Sequence, residues 1–142
     1  MSNEDTDAPI VPTIGAQKSS VKIGNVEFNI HDIGGHKSFQ VLWESFCSSS
    51  NVVLYVVDSS DEEAIAASAS QLETLISIES LVNIPILLIA NKQDIPGSLT
   101  SEEIMARFRL QDIENHQINM FCISAKMKTN VSNIIQWMVD SL

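Results

Sequence analysis

The sequence predicts an α/β fold in which helices cover both faces of a mainly parallel sheet. Two nearly unbroken apolar runs, at residues 52–57 and 84–90, are typical of strands buried on both faces, and residues 119–123 predict a third strand. A segment with apolar residues at helical spacing follows each strand. Strands that alternate with helices in this way form three layers joined by right-handed crossovers.

An antiparallel hairpin is predicted ahead of these strands, at residues 17–32, with its two strands at 17–23 and 26–32. Val26, Phe28 and Ile30 alternate with polar residues at period two, the pattern of a half-buried strand. The link Gly24-Asn25 consists of residues that tolerate positive φ, as a two-residue hairpin turn requires.

The helices are predicted from capping signatures and apolar spacing. Ser60 to Glu63 and Thr100 to Glu103 both fit a capping box, in which the first and fourth residues satisfy each other's backbone N–H groups. The apolar stripes of the three helices comprise Ile65, Ala69, Leu72 and Ile76, then Ile104, Met105 and Phe108, and finally Val131, Ile134, Ile135, Met138, Val139 and Leu142.

Length and charge limit the classes of function. The 142 residues suffice for one domain, at 10–142, after a disordered acidic tail at 1–9. Eighteen acidic against eight basic residues give a net charge of −10, so we expect neither nucleic-acid binding nor a polybasic membrane anchor. Cys47 and Cys122 match no metal-site or redox spacing and predict two reduced thiols.

A ligand site is predicted where the strands end. In open α/β sheets, ligands bind beyond the carboxyl ends of the strands. That rule selects the loops that begin at Asp32, Asp58, Asn91 and Ser124.

The first of these loops, Asp32-Ile33-Gly34-Gly35, has the chemistry of a phosphate and metal site. A carboxylate can hold Mg²⁺ through water, and glycines let backbone N–H groups approach a terminal phosphate. A tight glycine turn that closes the hairpin explains the same residues equally well.

The other two informative loops suit a guanine base. In Asn91-Lys92-Gln93-Asp94, the Asp can accept hydrogen bonds from guanine N1–H and N2–H₂, and the Lys stem can cover the base. In Ser124-Ala125-Lys126, a backbone N–H can reach guanine O6. Taken alone, the loop at Asn91 is equally consistent with a polar turn, and the loop at Ser124 is better explained as an ordinary turn than as a base contact.

Taken together and in order, the loops resemble the guanine-nucleotide-binding domain of a small GTPase. Residues 11–15, Val-Pro-Thr-Ile-Gly, are similar to switch I of the ADP-ribosylation-factor (Arf/Arl) family. Residues 32–36 and 42–46 are similar to its switch II, with His36 where the family has Gln. Residues 123–126 and Gln136-Trp137 most resemble the lysosome-positioning Arf-like branch, and the resemblance covers residues 11–142.

The resemblance implies a P-loop-NTPase-type G domain that binds GTP or GDP with Mg²⁺ and hydrolyses GTP. It places Thr13 and Asp32 on the metal and His36 beside the attacking water. It assigns nucleotide contacts to Thr13, Gly35, Asn91, Lys92, Asp94, Ser124, Ala125 and Lys126.

The family's phosphate-binding loop does not occur in these 142 residues. No Gly-x-x-x-x-Gly-Lys is present, so we expect an N-terminally truncated G domain that binds nucleotide weakly and is inactive as an isolated GTPase. The alternative is a nucleotide-independent binding module or decoy for effectors or regulators, acting through Trp43, Phe46 and the 17–32 hairpin. We expect a cytoplasmic protein that reaches endomembranes or the lysosome through partners.

The effector surface departs from the family's pattern. The family uses an aromatic triad, whereas the corresponding positions here are Ala16, His31 and Phe46. The resemblance therefore does not imply that this chain binds the family's usual effectors.

Overall fold

The computed structural model describes residues 16–33, 43–114 and 116–141, and its strands form two sheets. The chain divides into two compact units, residues 1–46 and 47–142. The elements in chain order are β1 Ala16–Ile23, β2 Val26–Ile33, α1 Trp43–Cys47, β3 Val53–Asp58, α2 Glu62–Ile76, β4 Ile86–Asn91, α3 Ser101–Phe108, β5 Ile118–Cys122 and α4 Val131–Ser141, with 3₁₀ turns at Glu79–Leu81 and Leu110–Asp112.

The first unit contains the predicted hairpin. Strands β1 and β2 pair antiparallel in a register that runs from Ala16 opposite Ile33 to Ile23 opposite Val26. Gly24 has a φ of 60°, as the first central residue of a type II′ turn requires. Within this unit the rings of His31 and Phe46 lie 5.4 Å apart between centroids. The hairpin prediction is confirmed, with each strand one residue longer than predicted.

The second unit contains a parallel sheet in the order β3-β4-β5, flanked by helices, which confirms the predicted fold class. Asp58 lies opposite Asn91, and Ala90 lies opposite Cys122. Because parallel strands point the same way, this register brings the carboxyl ends of all three strands to one edge.

Strand β4 forms the centre of the core. Its first five residues, Ile86 to Ala90, are at most 3% exposed. Buried side chains from the neighbouring helices and loops complete the core, and they include Ile65, Leu72, Leu75, Leu81, Leu99, Ile104, Phe108, Ile123, Ile134 and Met138. The start of β4 two residues later than predicted follows from Pro85, which has no N–H to give to a ladder.

The prediction that β3 is buried on both faces is wrong. Leu54 is 36% exposed and Val56 is 59% exposed, whereas Val57 on the other face is 3% exposed. Strand β3 lies at the end of its three-stranded sheet, and one of its faces is only partly covered. A run of apolar residues does not reveal that position.

The two predicted capping boxes have different outcomes. At α3, the Glu103 backbone N–H donates to Thr100 Oγ1 at 3.3 Å, and the Thr100 N–H donates to Glu103 Oε1 at 3.1 Å, so the box is confirmed. At α2 the N-cap is Asp61, whose carboxylate accepts from the Ala64 N–H at 3.1 Å. Ser60 instead donates its hydroxyl to Asp58, which explains why the prediction was wrong there.

Cys47 is buried and Cys122 half-buried, both are unbridged, and burial raises the pKa of both thiols. Within the described ranges, no helix combines the length and apolar character that crossing a bilayer would need.

Candidate functional site

Hydrogen bonds join the loops at the carboxyl edge of the second unit's sheet. The Ser59 N–H donates to the Asn91 carbonyl at 3.0 Å, which ties the end of β3 to the end of β4. The Gln93 N–H donates to the Ile123 carbonyl at 3.0 Å, which ties the β4 loop to the β5 loop. The loops that begin at Asp58, Asn91 and Ser124 therefore form one continuous surface, as the predicted topology requires.

Asn91 links two of these loops through a single oxygen. Its Oδ1 accepts from the Lys92 N–H at 2.7 Å and from the Ala125 N–H at 3.0 Å. Both lone pairs of this oxygen are thereby used, and the backbones of the two loops are fixed relative to each other.

Asp94 is oriented by Ser124. Ser124 Oγ donates to Asp94 Oδ1 at 2.7 Å and accepts from the Met127 N–H at 3.0 Å. Ser124 is only 2% exposed, whereas Asp94 is exposed. Among the described residues, Asp94 Oδ2 has no hydrogen-bond partner, so the carboxylate is held by one oxygen and presents the other to solvent.

Lys92 combines an unusual backbone with a placed ammonium group. Its φ is 66°, a left-handed conformation that costs a non-glycine residue about 1 kcal/mol or more. The bond from Lys92 N–H to Asn91 and a bond from Ser98 Oγ to the Lys92 carbonyl at 2.9 Å hold this conformation. Its Nζ lies 2.9 Å from Asp58 Oδ2.

The Asp58 carboxylate has partners on both oxygens. Oδ1 accepts from the Ser60 N–H at 2.9 Å and from Ser60 Oγ at 2.6 Å, while Oδ2 accepts from Lys92. Partial burial acts to raise the pKa of Asp58, but the bonds from Ser60 and Lys92 outweigh it and bring the pKa below its ordinary value. Asp58 is therefore a fixed anion at neutral pH.

Most backbone N–H groups of the β5 loop next to Ser124 are already bonded within the described residues. Its Ala125 N–H is bonded to Asn91, and its Lys128 N–H donates to the Ala125 carbonyl at 3.3 Å. The Lys126 N–H has no hydrogen-bond partner in the part of the chain that the structure describes. The sequence prediction named a backbone N–H in this loop without choosing one, and this pattern selects that of Lys126.

Most of the remaining predicted site residues lie outside the part of the chain that the structure describes. Asp32 is the last residue but one of β2 in the first unit, while Thr13, Gly34, Gly35 and His36 are among the residues that are not described. Across the described ranges, no cluster of three His, Cys, Asp or Glu side chains could hold a metal ion. Assignment of Mg²⁺ to Thr13 and Asp32, and of catalysis to His36, stays a prediction.

The predicted partner residues differ in exposure. Trp43 is 7% exposed, and Phe46 is half-buried against His31. Most of the hairpin is exposed, including Gln17, Lys18, Ser19, Ser20, Lys22, Glu27, Asn29 and His31. The hairpin therefore offers more accessible surface than Trp43 does.

The sequence predicted that the loop at Asp58 lies at the ligand site, but it did not predict the ion pair between Asp58 and Lys92. The interaction between Asp58 and Lys92 joins residues 34 positions apart and has no local signature. The signal that could have found it is topological, because Asp58 and Asn91 both end neighbouring parallel strands.

Comparison with known proteins identifies the family. Residues 1–142 match the model of the ADP-ribosylation factor family. The chain belongs to that family. It is 35% identical over 130 residues to ADP-ribosylation factor-like protein 8b of Arabidopsis thaliana, covering 92% of this chain and 71% of the relative. The family predicted from the switch and loop motifs is thus confirmed.

A solved structure shows the same fold. The Arl6 BBS3 small GTPase of Trypanosoma brucei, described with a bound nucleotide analogue, GppNp, superimposes with a TM-score of 0.86 at 27% identity. The match covers 94% of this chain and 82% of that one.

Proposed function

We propose that this Arf-family chain binds guanine nucleotides by reading the base at the carboxyl edge of the β3-β4-β5 sheet. The observation that carries the proposal is the placement of Asp94, which Ser124 Oγ holds at 2.7 Å while Oδ2 stays accessible. A carboxylate fixed in this way suits two adjacent N–H donors, and guanine presents such a pair at N1 and N2.

Each loop contributes a separate element of base recognition. Asp94 accepts from guanine N1–H and N2–H₂, and the Lys126 N–H donates to O6. The aliphatic stem of Lys92 covers one face of the base. Asn91 touches no base atom in this proposal but fixes both loops through Lys92 N–H and Ala125 N–H.

Phosphate binding is proposed to be weak in the 142-residue chain. The sequence contains no Gly-x-x-x-x-Gly-Lys, the loop that supplies N–H groups and a Lys to the phosphates in P-loop proteins. Four missing charge-assisted hydrogen bonds at roughly 1.5–3 kcal/mol each amount to about 6–12 kcal/mol, with strong non-additivity. We expect GTP affinity no better than about millimolar.

Catalysis is proposed to be correspondingly weak. Positioning and charge stabilisation of the phosphoryl group account for nearly all of this catalysis, so GTP hydrolysis should not exceed background. Mg²⁺, if it binds with nucleotide, would be held through Thr13 and Asp32, and His36 would orient water.

A titration of the 142-residue chain tests base recognition. Guanosine, GDP and GTP should bind with similar affinities and more tightly than adenosine, measured by ¹H–¹⁵N chemical-shift changes. Asp94→Ala should remove most of the preference for guanine, and Asp94→Asn should shift it toward xanthosine. Asp112→Asn is the matched control, since Asp112 is an exposed acid in the segment between α3 and the amino end of β5.

Two results would contradict the proposal. A preference for guanine that survives Asp94→Ala would mean that this loop does not read the base. Micromolar binding of GTP with much weaker binding of guanosine would mean that other residues hold the phosphates.

The biological role proposed from the family is a switch in vesicle or organelle trafficking in the cytoplasm, at endomembranes or the lysosome. Effectors or regulators would contact the exposed hairpin and Phe46. The alternative, a binding module or decoy that needs no nucleotide, is supported by that same exposed hairpin. Binding of a regulator in the presence and absence of guanine nucleotide distinguishes the switch from the decoy. Equal binding under both conditions favours the decoy.

A further inference from the structure

The carboxylate of Asp58, at the end of β3, belongs to this surface but makes none of the proposed contacts with the base. Asp58 Oδ2 lies 2.9 Å from Lys92 Nζ, and Asp58 Oδ1 accepts both the N–H and the hydroxyl of Ser60. The three bonds leave the carboxylate little freedom to rotate. The carboxylate is therefore ordered, and it holds the ammonium of Lys92 in an ion pair.

If its ammonium were not bound to Asp58, the aliphatic stem of Lys92 would be mobile. A lysine side chain has four rotatable carbon–carbon bonds, and ordering it on a ligand costs entropy. Here its two ends are both held: the backbone, at a φ of 66°, by Asn91 and Ser98, and the ammonium by Asp58. The aliphatic carbons between them are consequently ordered before any ligand arrives.

We infer that Asp58 is a positioning residue of the base site, which holds the Lys92 stem in place to cover the purine. The inference rests on the proposed function. Asp58 touches no base atom and acts through Lys92, whose side chain is 51% exposed and therefore accessible to a ligand. The pairing also neutralises the Lys92 ammonium, so that Lys92 contributes coverage of the base rather than charge to a phosphate.

A double-mutant cycle on guanosine binding separates this role from a structural one. In the 142-residue chain, Asp58→Asn and Lys92→Met should each weaken guanosine binding by about 1.5- to fivefold, the range for a partly exposed ion pair. Lys92→Met keeps the stem but loses its attachment. The combined variant should bind no more weakly than either single variant, because both changes remove the same attachment.

The base preference provides the second measurement. Coverage by a lysine stem does not depend on the N2 amino group, so the ratio of guanosine to inosine affinity should stay unchanged in Asp58→Asn. Asp58→Glu, which keeps the carboxylate, should retain more binding than Asp58→Asn. Asp112→Asn removes one negative charge elsewhere in the same unit and should leave guanosine affinity unchanged.

Several outcomes would overturn the inference. Guanosine binding unaffected by Asp58→Asn, additive losses in the combined variant, or a changed ratio of guanosine to inosine affinity would each remove Asp58 from this role while leaving base recognition by Asp94 intact. A wild-type chain that binds no guanosine would overturn the proposed function and this inference together.

Discussion

Strands β3 and β4 are neighbours with similar sequences and different surroundings. Both are apolar runs that end in a polar residue, Asp58 in one and Asn91 in the other. Leu88 on β4 is 0% exposed, whereas Val56 on β3 is 59% exposed. The difference shows that apolar character places a strand in a sheet but does not tell which of its faces is covered.

The loops after these strands differ in how many neighbouring loops they are bonded to. The loop after β4 is bonded on one side to the β5 loop, through Asn91 Oδ1 and the Ala125 N–H, and on the other side to Asp58. The loop after β3 is bonded to the β4 loop alone among the described strand-end loops of its unit. A loop between two neighbours can hold several side chains in place at once, and Asp94 and Lys92 both lie in that central loop.

The largest expected effect is the difference in stability between a truncated side chain on β4 and one on β3. Leu88→Ala should lower the free energy of unfolding by about 3 kcal/mol, because it leaves a cavity in a fully buried site. Leu54→Ala, at a site 36% exposed, should cost less than about half as much. Urea unfolding followed by circular dichroism measures both, and equal losses would mean that β3 is as buried as β4.

These strands also show what could be predicted from the sequence. The order of the five strands and of the three longer helices, the hairpin turn at Gly24 and the contact between the loops of Asp94 and Ser124 follow from local patterns and from the rule for parallel strands. The exposure of Val56 and the Asp58–Lys92 pair could not be predicted, because they depend on which strand lies at the sheet edge and on residues distant in sequence.

The next largest effect is the loss of stability when a candidate capping residue is removed from α3 or from α2, which share a capping-box sequence. Thr100→Ala should destabilise the chain by about 1 kcal/mol, since it removes the observed cap of α3. Ser60→Ala should cost less than about 0.5 kcal/mol in helix stability, because Asp61 caps α2. Thermal unfolding of the two variants in parallel distinguishes them. A larger loss in Ser60→Ala than in Thr100→Ala would mean either that Ser60 caps α2 or that its hydrogen bond to Asp58 contributes more than the α3 cap.

A smaller effect is expected from pH. The pKa of Asp58 is lower in the folded chain than its ordinary value, so the carboxylate contributes stability above the unfolded pKa of about 3.9. That contribution is lost as the pH falls through the lower, folded pKa. Because the site is partly exposed, it amounts to less than about 1 kcal/mol.

The measurement for this effect is the stability difference between wild type and Asp58→Asn from about pH 7 down to about pH 2. The difference should be largest at neutral pH and should disappear at the acid end. A difference that grows on acidification would mean that folding raises the pKa of Asp58 rather than lowering it.

The smallest expected effect on stability lies on the exposed face of β3. Val56→Lys should change the free energy of unfolding by no more than about 0.5 kcal/mol, because the side chain is already 59% exposed. It should also reduce self-association, since a charged residue on an edge strand opposes pairing with another chain. Val57→Lys is the matched control one residue along, where the side chain is 3% exposed and an ammonium would be buried without a partner. Unfolding curves and light scattering over a range of protein concentrations measure both properties. If Val56→Lys proved as destabilising as Val57→Lys, that face of β3 would have to be covered in solution, and β3 would resemble β4 after all.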